Sequence, residues 1–399
     1  MSTATPIDSD PNNNTTNVTL TDNEDQIHTF GKVSVRAKVT AEPPESVVAA
    51  SANSLNQNNN NDDDEDVQDA NPDEPGSDDD DDADLMAGVS DDVEDLDFTH
   101  ARIGDLSKLN IARLKKLKTL GLRQNHITKI VGFNDMPELV ELDLYDNRIT
   151  VVEGVDTVPN LTSFDLSFNK IRQIQNVNHL VHLTDLYFAA NKISVIENLS
   201  NLTLITNLEL GANRIRKIEN LDTLVNLEQL WLGKNKITKI EGLDKLSKLR
   251  ILSIQSNRLQ KIEGLSALSN LEQLFLSHNG ILRLEGLEGC RNLQIIDVGN
   301  NRIPKIEGLD NCVVLEELWA NNNLIPTLND PSFEQQLGQT VKPTLTTLYL
   351  EGNPLQNLAG GTYRLKVQLA MPQLKQIDAV MIKQSVGAVG AHHPGSGTF

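Results

Sequence analysis

Ten asparagines recur at intervals of 22 residues without a slip: Asn125, Asn147, Asn169, Asn191, Asn213, Asn235, Asn257, Asn279, Asn301 and Asn323. An eleventh, Asn353, follows after 30. Around each, large apolar residues keep fixed places in the pattern L-x-x-L-x-L-x-x-N-x-I-x-x-I, as in Leu227, Leu230, Leu232, Asn235, Ile237 and Ile240. No other property of the chain narrows its fold so far. A unit this short cannot bury its own apolar face, so copies must stack, each touching only its neighbours.

The L-x-L segment is expected as a short strand whose alternate residues point to opposite faces. Leu230 and Leu232 then face the coil interior and Trp231 faces out. The asparagine amide is expected to turn the chain and to meet backbone groups that the turn leaves unpaired inside the coil. Ile237 and Ile240 fill the core beneath. The return from Glu241 to Lys248 brings Leu243 and Leu246 inward on a short helical or 3-10 turn. The fold class that follows is α/β: a leucine-rich-repeat solenoid with a curved parallel sheet on its concave face and short helices or 3-10 turns on its convex face.

Charge divides the chain. Residues 1–97 hold 26 Asp and Glu against 3 Lys and Arg, whereas the remainder holds 30 against 32. The acidity therefore belongs to a tail and the solenoid is nearly neutral, so no basic stripe argues for nucleic acid as a ligand. Residues 1–92, with Asn58 to Asn61, Asp62 to Asp66 and Asp78 to Asp82, read as a disordered acidic and Asn-rich tail. Residues 93–355 form the solenoid, beginning with a degenerate repeat, Leu96-Asp97-Phe98, that has Ala101 in the asparagine place. Eight extra residues between Asn323 and Asn353 are expected as a loop or short helix on the convex side or edge. Residues 356–383, with Tyr363, Leu365, Leu369, Met371, Leu374 and Ile377, read as an amphipathic helix and one last strand that cap the core. Residues 384–399 read as a flexible tail.

Met1-Ser2-Thr3-Ala4 shows neither the charged nor the apolar region of a secretory signal, and no run approaches the roughly 18 apolar residues of a membrane span. Asn160, Asn198 and Asn201 in Asn-x-Ser/Thr triplets then read as unglycosylated repeat residues. Cys290 and Cys312, 22 apart, replace the leucines seen at Leu246 and Leu268, which makes them buried reduced thiols. Nucleotide-binding glycine loops, zinc spacings and nucleophile–base sets are absent from the sequence, so no metal or cofactor is expected and an enzyme is not the reading.

The central strand residues read Gly121, Asp143, Asp165, Tyr187, Glu209, Trp231, Ser253, Phe275, Asp297, Trp319 and Tyr349, with Glu317 and Tyr145 beside them. Both tryptophans of the chain fall in this one row. Aromatic residues with acidic neighbours are the currency of protein interfaces.

The strings Leu142-Asp143-Leu144-Tyr145-Asp146-Asn147, Ile196-Glu197-Asn198-Leu199-Ser200-Asn201-Leu202, Leu232-Gly233-Lys234-Asn235-Lys236-Ile237 and Leu276-Ser277-His278-Asn279-Gly280-Ile281 resemble the leucine-rich-repeat regulatory subunit of type-1 serine/threonine protein phosphatase, over roughly residues 93–382. The resemblance implies a nuclear and cytoplasmic subunit, monomeric on its own, that grips the phosphatase catalytic subunit with its concave face. A phosphatase inhibitor subunit is a further implied partner, and phosphatase maturation and mitotic chromosome segregation are the implied processes. The contact positions it implies are Asp165, Tyr187, Glu209, Trp231, Asp297, Glu317, Trp319 and Tyr349; Phe275 joins them from the row itself. The family usually has Phe where this chain has Tyr187 and Trp231. Lys129-Ile130-Val131-Gly132-Phe133 mimics a phosphatase-docking motif, yet its register equals Lys239 to Leu243, so Ile130 and Phe133 are expected in the core. The competing reading is a nuclear acidic leucine-rich protein whose tail chaperones basic proteins such as histones.

Overall fold

The computed structural model describes residues 85–327, 341 and 343–382, together with the backbone of residues 28–30 and 33–35. Residues 328–340 of the stretch that holds the expected insertion between Asn323 and Asn353, the tail from 384 and most of residues 1–84 lie outside the described residues. Strands of three residues recur at Asp95–Asp97, Thr119–Gly121, Glu141–Asp143, Ser163–Asp165, Asp185–Tyr187, Asn207–Glu209, Gln229–Trp231, Ile251–Ser253, Gln273–Phe275, Ile295–Asp297, Glu317–Trp319 and Thr347–Tyr349. Each pairs in parallel with the next, in one sheet whose strand order is the sequence order.

The strands are short because only the middle residue of each faces the core, as Leu230 and Leu252 do with no exposure, before the chain turns. Leu227, Leu232, Ile237, Ile240, Leu243, Leu246 and Leu249 are equally enclosed, so one coil is a closed ring of apolar side chains. Full burial of each such side chain stabilises the fold by about 1.5–3 kcal/mol. The returning side consists of single turns closed by i→i+3 bonds, such as Leu246 N to Leu243 O and Leu249 N to Leu246 O, both at 3.0 Å. Among the described residues, only Leu106–Leu109 and Ile111–Arg113 lengthen into 3-10 helices on that side. Ile130 and Phe133 are core residues, so the docking-motif look-alike is structural.

The asparagine ladder satisfies the turn. Asn213 Oδ1 accepts from Ile193 N at 2.9 Å, and Nδ2 donates to Phe188 O, Leu210 O and Gly211 O at 2.9–3.1 Å. Two of those four partners belong to the preceding coil. In the degenerate first repeat Ala101 takes the asparagine place, and Ile103 N still donates to Asn125 Oδ1 of the following coil. A second turn needs positive φ at one place, filled by Gly154, Gly242, Gly264, Gly286 and Gly308 but by Asn176, Asn198 and Asn220 in three coils. A Cβ on Gly242 would come within 2.7 Å of Ile218 O, yet asparagine repays the crowding by donating back to it, as Asn220 Nδ2 does to Ile196 O at 2.7 Å.

Both ends of the parallel sheet are extended by antiparallel strands. At the C-terminal end the helices Pro354–Ala359 and Tyr363–Ala370 lead into Gln376–Ile377, parallel to Thr347–Tyr349, and Val380–Met381 pairs antiparallel outside it. The cap thus has two helices and two strands where the sequence suggested one of each. Tyr363 and Val367, an i,i+4 pair, form the buried stripe, whereas Leu365 and Leu369 are 57% and 72% exposed. At the N-terminal end the expectation of an unstructured tail to residue 92 needs correcting. Leu85 already packs into the core, and the strands His28–Phe30 and Val33–Val35 form a hairpin in which Ser34 pairs with Asp97. An open sheet edge presents unpaired backbone groups, which is the physical reason to cover it.

The near-neutral charge total conceals a sorting of charge, which corrects the reading that no basic stripe exists. The residue after each ladder asparagine donates its amide to the preceding coil, as Arg148 N does to Ile127 O, Lys170 N to Ile149 O and Arg214 N to Ile193 O. These residues stack in register as Arg148, Lys170, Lys192, Arg214, Lys236, Arg258, Gly280 and Arg302 along one edge of the solenoid. A sum over the chain has no positions in it, so this row was invisible to it.

Candidate functional site

The strand registers bring the expected row together. Asp143 pairs with Asp165, Asp165 with Tyr187, Tyr187 with Glu209 and Glu209 with Trp231. Ser253, Phe275, Asp297, Trp319 and Tyr349 continue the line. Asp165, Tyr187, Glu209, Trp231, Glu317, Trp319 and Tyr349 are partly exposed. Phe275 and Asp297 are the exceptions at 8% each. Phe275 is thus part of the floor of the face and not a projecting anchor.

Every carboxylate in the row does local work first. An oxygen of Asp143, Asp165, Glu209 and Asp297 accepts the amide two residues on, from Tyr145, Ser167, Gly211 and Gly299 at 2.6–3.0 Å. This turn-forming bond orients the side chain. The other oxygens of Asp143 and Asp165 meet Arg123, whose guanidinium also lies over the Tyr145 ring, 4.9 Å from its centroid. Burial pushes the Asp165 carboxyl up, and Asp143 adds to the rise. Burial acts most strongly on Glu209, which is pushed up to about 8 with a further rise from Asp165, against the lowering effect of the Gly211 amide. Tyr187 is held by two neighbours: its hydroxyl donates to Asp185 Oδ1 at 3.3 Å and accepts from Asn207 Nδ2 at 3.1 Å. Burial, then Asp185, pushes its phenol up to about 12.

Toward the C-terminus the face changes character. Trp319 Nε1 donates to Glu317 Oε2 at 3.0 Å, and its ring packs tilted on Tyr349 with centroids 5.6 Å apart. Tyr349 Oη in turn accepts from Gln376 Nε2 at 2.7 Å, so the cap braces the aromatic pair. Side chains already held in place lose less freedom when a partner covers them.

Sequence reasoning missed Arg123 and Phe168. Arg123 lies two residues beyond Gly121, the same offset by which Tyr145 follows Asp143, and that offset was the available signal. Phe168 stacks on Tyr145 at 4.8 Å, is 49% exposed and adopts φ 56°, a conformation costly for a bulky side chain. Behind the face, Cys290 and Cys312 are free and fully buried, as expected; burial pushes their thiols up to about 11 and about 12. Among the described residues no cluster of three metal-ligating side chains occurs, and no helix is long and apolar enough to cross a membrane.

Comparison with known proteins places this architecture. Residues 137–179, 225–267 and 269–311 match the family described as leucine-rich repeats in two copies. An internalin from Listeria monocytogenes superposes with a TM-score of 0.62 at 20% identity, over 74% of this chain and 86% of that one. A leucine-rich-repeat protein of Leptospira interrogans gives 0.56 at 24%, over 67% and 73%. Both share the fold. The protein phosphatase 1 regulatory subunit SDS22 of Schizosaccharomyces pombe is 54% identical over 41 residues, 10% of this chain and 12% of its own length. Its counterpart in Saccharomyces cerevisiae is 44% identical over 71 residues, 18% of this chain and 20% of its own. The chain thus spans a fifth or less of the length of these curated relatives in alignment. The fold is a leucine-rich-repeat solenoid, and the matched stretches of its repeats are similar to those of the regulatory subunits of protein phosphatase 1.

Proposed function

We propose that this chain is a non-catalytic subunit that binds the catalytic subunit of protein phosphatase 1 through its concave face. The observation that carries the reading is the in-register row from Asp143 to Tyr349, in which held carboxylates give way to braced aromatic rings. Thirteen parallel strands at about 4.8 Å give a sheet some 60 Å long, enough for a standard protein interface. Trp231 and Trp319 lie four coils apart, about 19 Å, and suit two separate pockets of one macromolecule. The nucleus and cytoplasm, a monomeric free state, a further inhibitor subunit and a role in phosphatase maturation and mitosis accompany this reading.

The test is titration calorimetry of the phosphatase catalytic subunit against Trp231→Ala and Trp319→Ala. Truncation of a central aromatic anchor costs at least ~2 kcal/mol, about thirtyfold in affinity. Lys239→Ala, exposed on the returning edge, is the control and is expected to bind as the parent does. Wild-type affinity in both tryptophan variants would overturn the concave-face mechanism.

A further inference from the structure

The basic edge row from Arg148 to Arg302 has no part in the concave-face reading. We propose that this edge is a polyanion-binding rim and that its occupant is the chain's own acidic segment, residues 62–82.

The row is not a packing requirement. Its backbone role needs only an amide, and Gly280 fills the same place with no side chain, donating to Leu259 O at 2.8 Å. Cations in successive coils stand about 4.8 Å apart, well inside the ~10 Å screening length, so their fields add and oppose folding. The residues two before and two after each of them contribute a single carboxylate, Asp146, while Arg172, Arg216 and Lys234 add charge of the same sign. A second row of cations three residues further on is different. Lys217, Lys239 and Lys261 pair with Glu219, Glu241 and Glu263 at 3.1–3.7 Å. That second row carries its carboxylates two residues on in its own coils, whereas in the first row Arg148, Lys170, Arg214 and Arg302 are exposed on the edge.

The segment 62–82 carries 13 carboxylates and no Lys or Arg. It ends just before Leu85, which is anchored in the core. The rim covers seven coil steps, about 34 Å, and a segment of this length reaches about 70 Å when extended. The tether sets a local concentration on the order of millimolar, which a free acidic chain in solution does not match.

The test is zero-length carbodiimide cross-linking of the whole chain, read by peptide mass spectrometry. At low salt, links from carboxylates of residues 62–82 to Lys170, Lys192 and Lys236 are expected to exceed those to Lys217, Lys239 and Lys261 at least ~fivefold, and to collapse at about 0.5 M salt. A mixture of isotopically heavy and light chains should give links within one chain. Lys170→Glu with Lys236→Glu, both surface changes, should leave the thermal midpoint in place and cut the remaining link to Lys192 at least ~threefold. Equal yields on the two rows, or mainly heavy-to-light links, would overturn the proposal. So would a labelled single-stranded oligonucleotide that binds the parent as tightly as a variant with residues 62–66 and 78–82 changed to Asn and Gln, because an occupied rim must resist a competitor.

Discussion

The two halves of the concave face share one scaffold and differ in almost everything laid upon it. From Asp143 to Glu209 the row is carboxylates and a half-buried phenol, tied to local amides and to Arg123. From Trp231 to Tyr349 it is mostly aromatic, and its one carboxylate, Asp297, is sunk into the floor. Exposed charge acts at a distance and chiefly changes how fast a partner arrives. Desolvated rings act at contact and chiefly decide how long it stays. In the proposed phosphatase complex the face would divide recognition into a steering half and an anchoring half, placed in sequence along one sheet.

The comparison requires an identical scaffold under both halves, and this is where the largest effect is expected. Asn191 and Asn301 each make the same set of four bonds, one in either half. Asn191→Leu and Asn301→Leu should each destabilise by about 3 kcal/mol or more, since orphaned buried backbone groups cost about 1–3 kcal/mol apiece. Denaturant midpoints check this, and unequal losses would place the asymmetry in the scaffold itself.

Next come the kinetics of the proposed phosphatase complex. Trp319→Ala should raise the dissociation rate at least ~tenfold with the association rate within ~twofold of the parent. Asp165→Asn keeps an oxygen for the Ser167 amide but loses the charge. It should slow association ~threefold, flatten its salt dependence and leave dissociation almost unchanged. Stopped-flow traces that show the reverse assignment would dissolve the division of labour.

The smallest effect concerns proton linkage at the boundary. The folded-state value of Glu209 is raised to about 8 from an ordinary 4.5, so the native state holds a proton that the unfolded chain releases. Its contribution to stability is fully present below about 4.5 and is lost as pH rises through about 8. Glu209→Gln should remove that slope. Relative to it, the parent's thermal midpoint should fall steadily between pH 5 and 8, and parallel curves would show that the carboxyl is ionised throughout.

The sheet, the inward and outward sides of each strand and the membership of the row were legible because a period of 22 assigns every position an equivalent. Trp231 is outward for the same reason that Leu230 is inward. What a period does not reveal is how far neighbours on a concave surface close over one another, and so Phe275 and Asp297 were placed on the correct side but at the wrong depth. Arg123 escaped because its partners, Asp143 and Asp165, are 20 and 42 residues away and meet it only after stacking. The basic edge escaped for a different reason: a net charge carries no positions, and its cations lie 22 residues apart in the sequence.

The asparagine ladder also has a direction. Each amide reaches back to the coil before it, and none reaches forward, until Asp378 ends the series by accepting from Leu350 N at 2.8 Å and Glu351 N at 3.0 Å. A coil leaving the ribosome is therefore incomplete until its successor arrives to satisfy it. Synthesis proceeds from the N-terminus, so the growing end is expected to stay one coil short of protection, with its turn open to protease and chaperone. The carboxylate of Asp378 is the first group able to close that account, because an acceptor with no amide to place asks nothing of a coil that never comes.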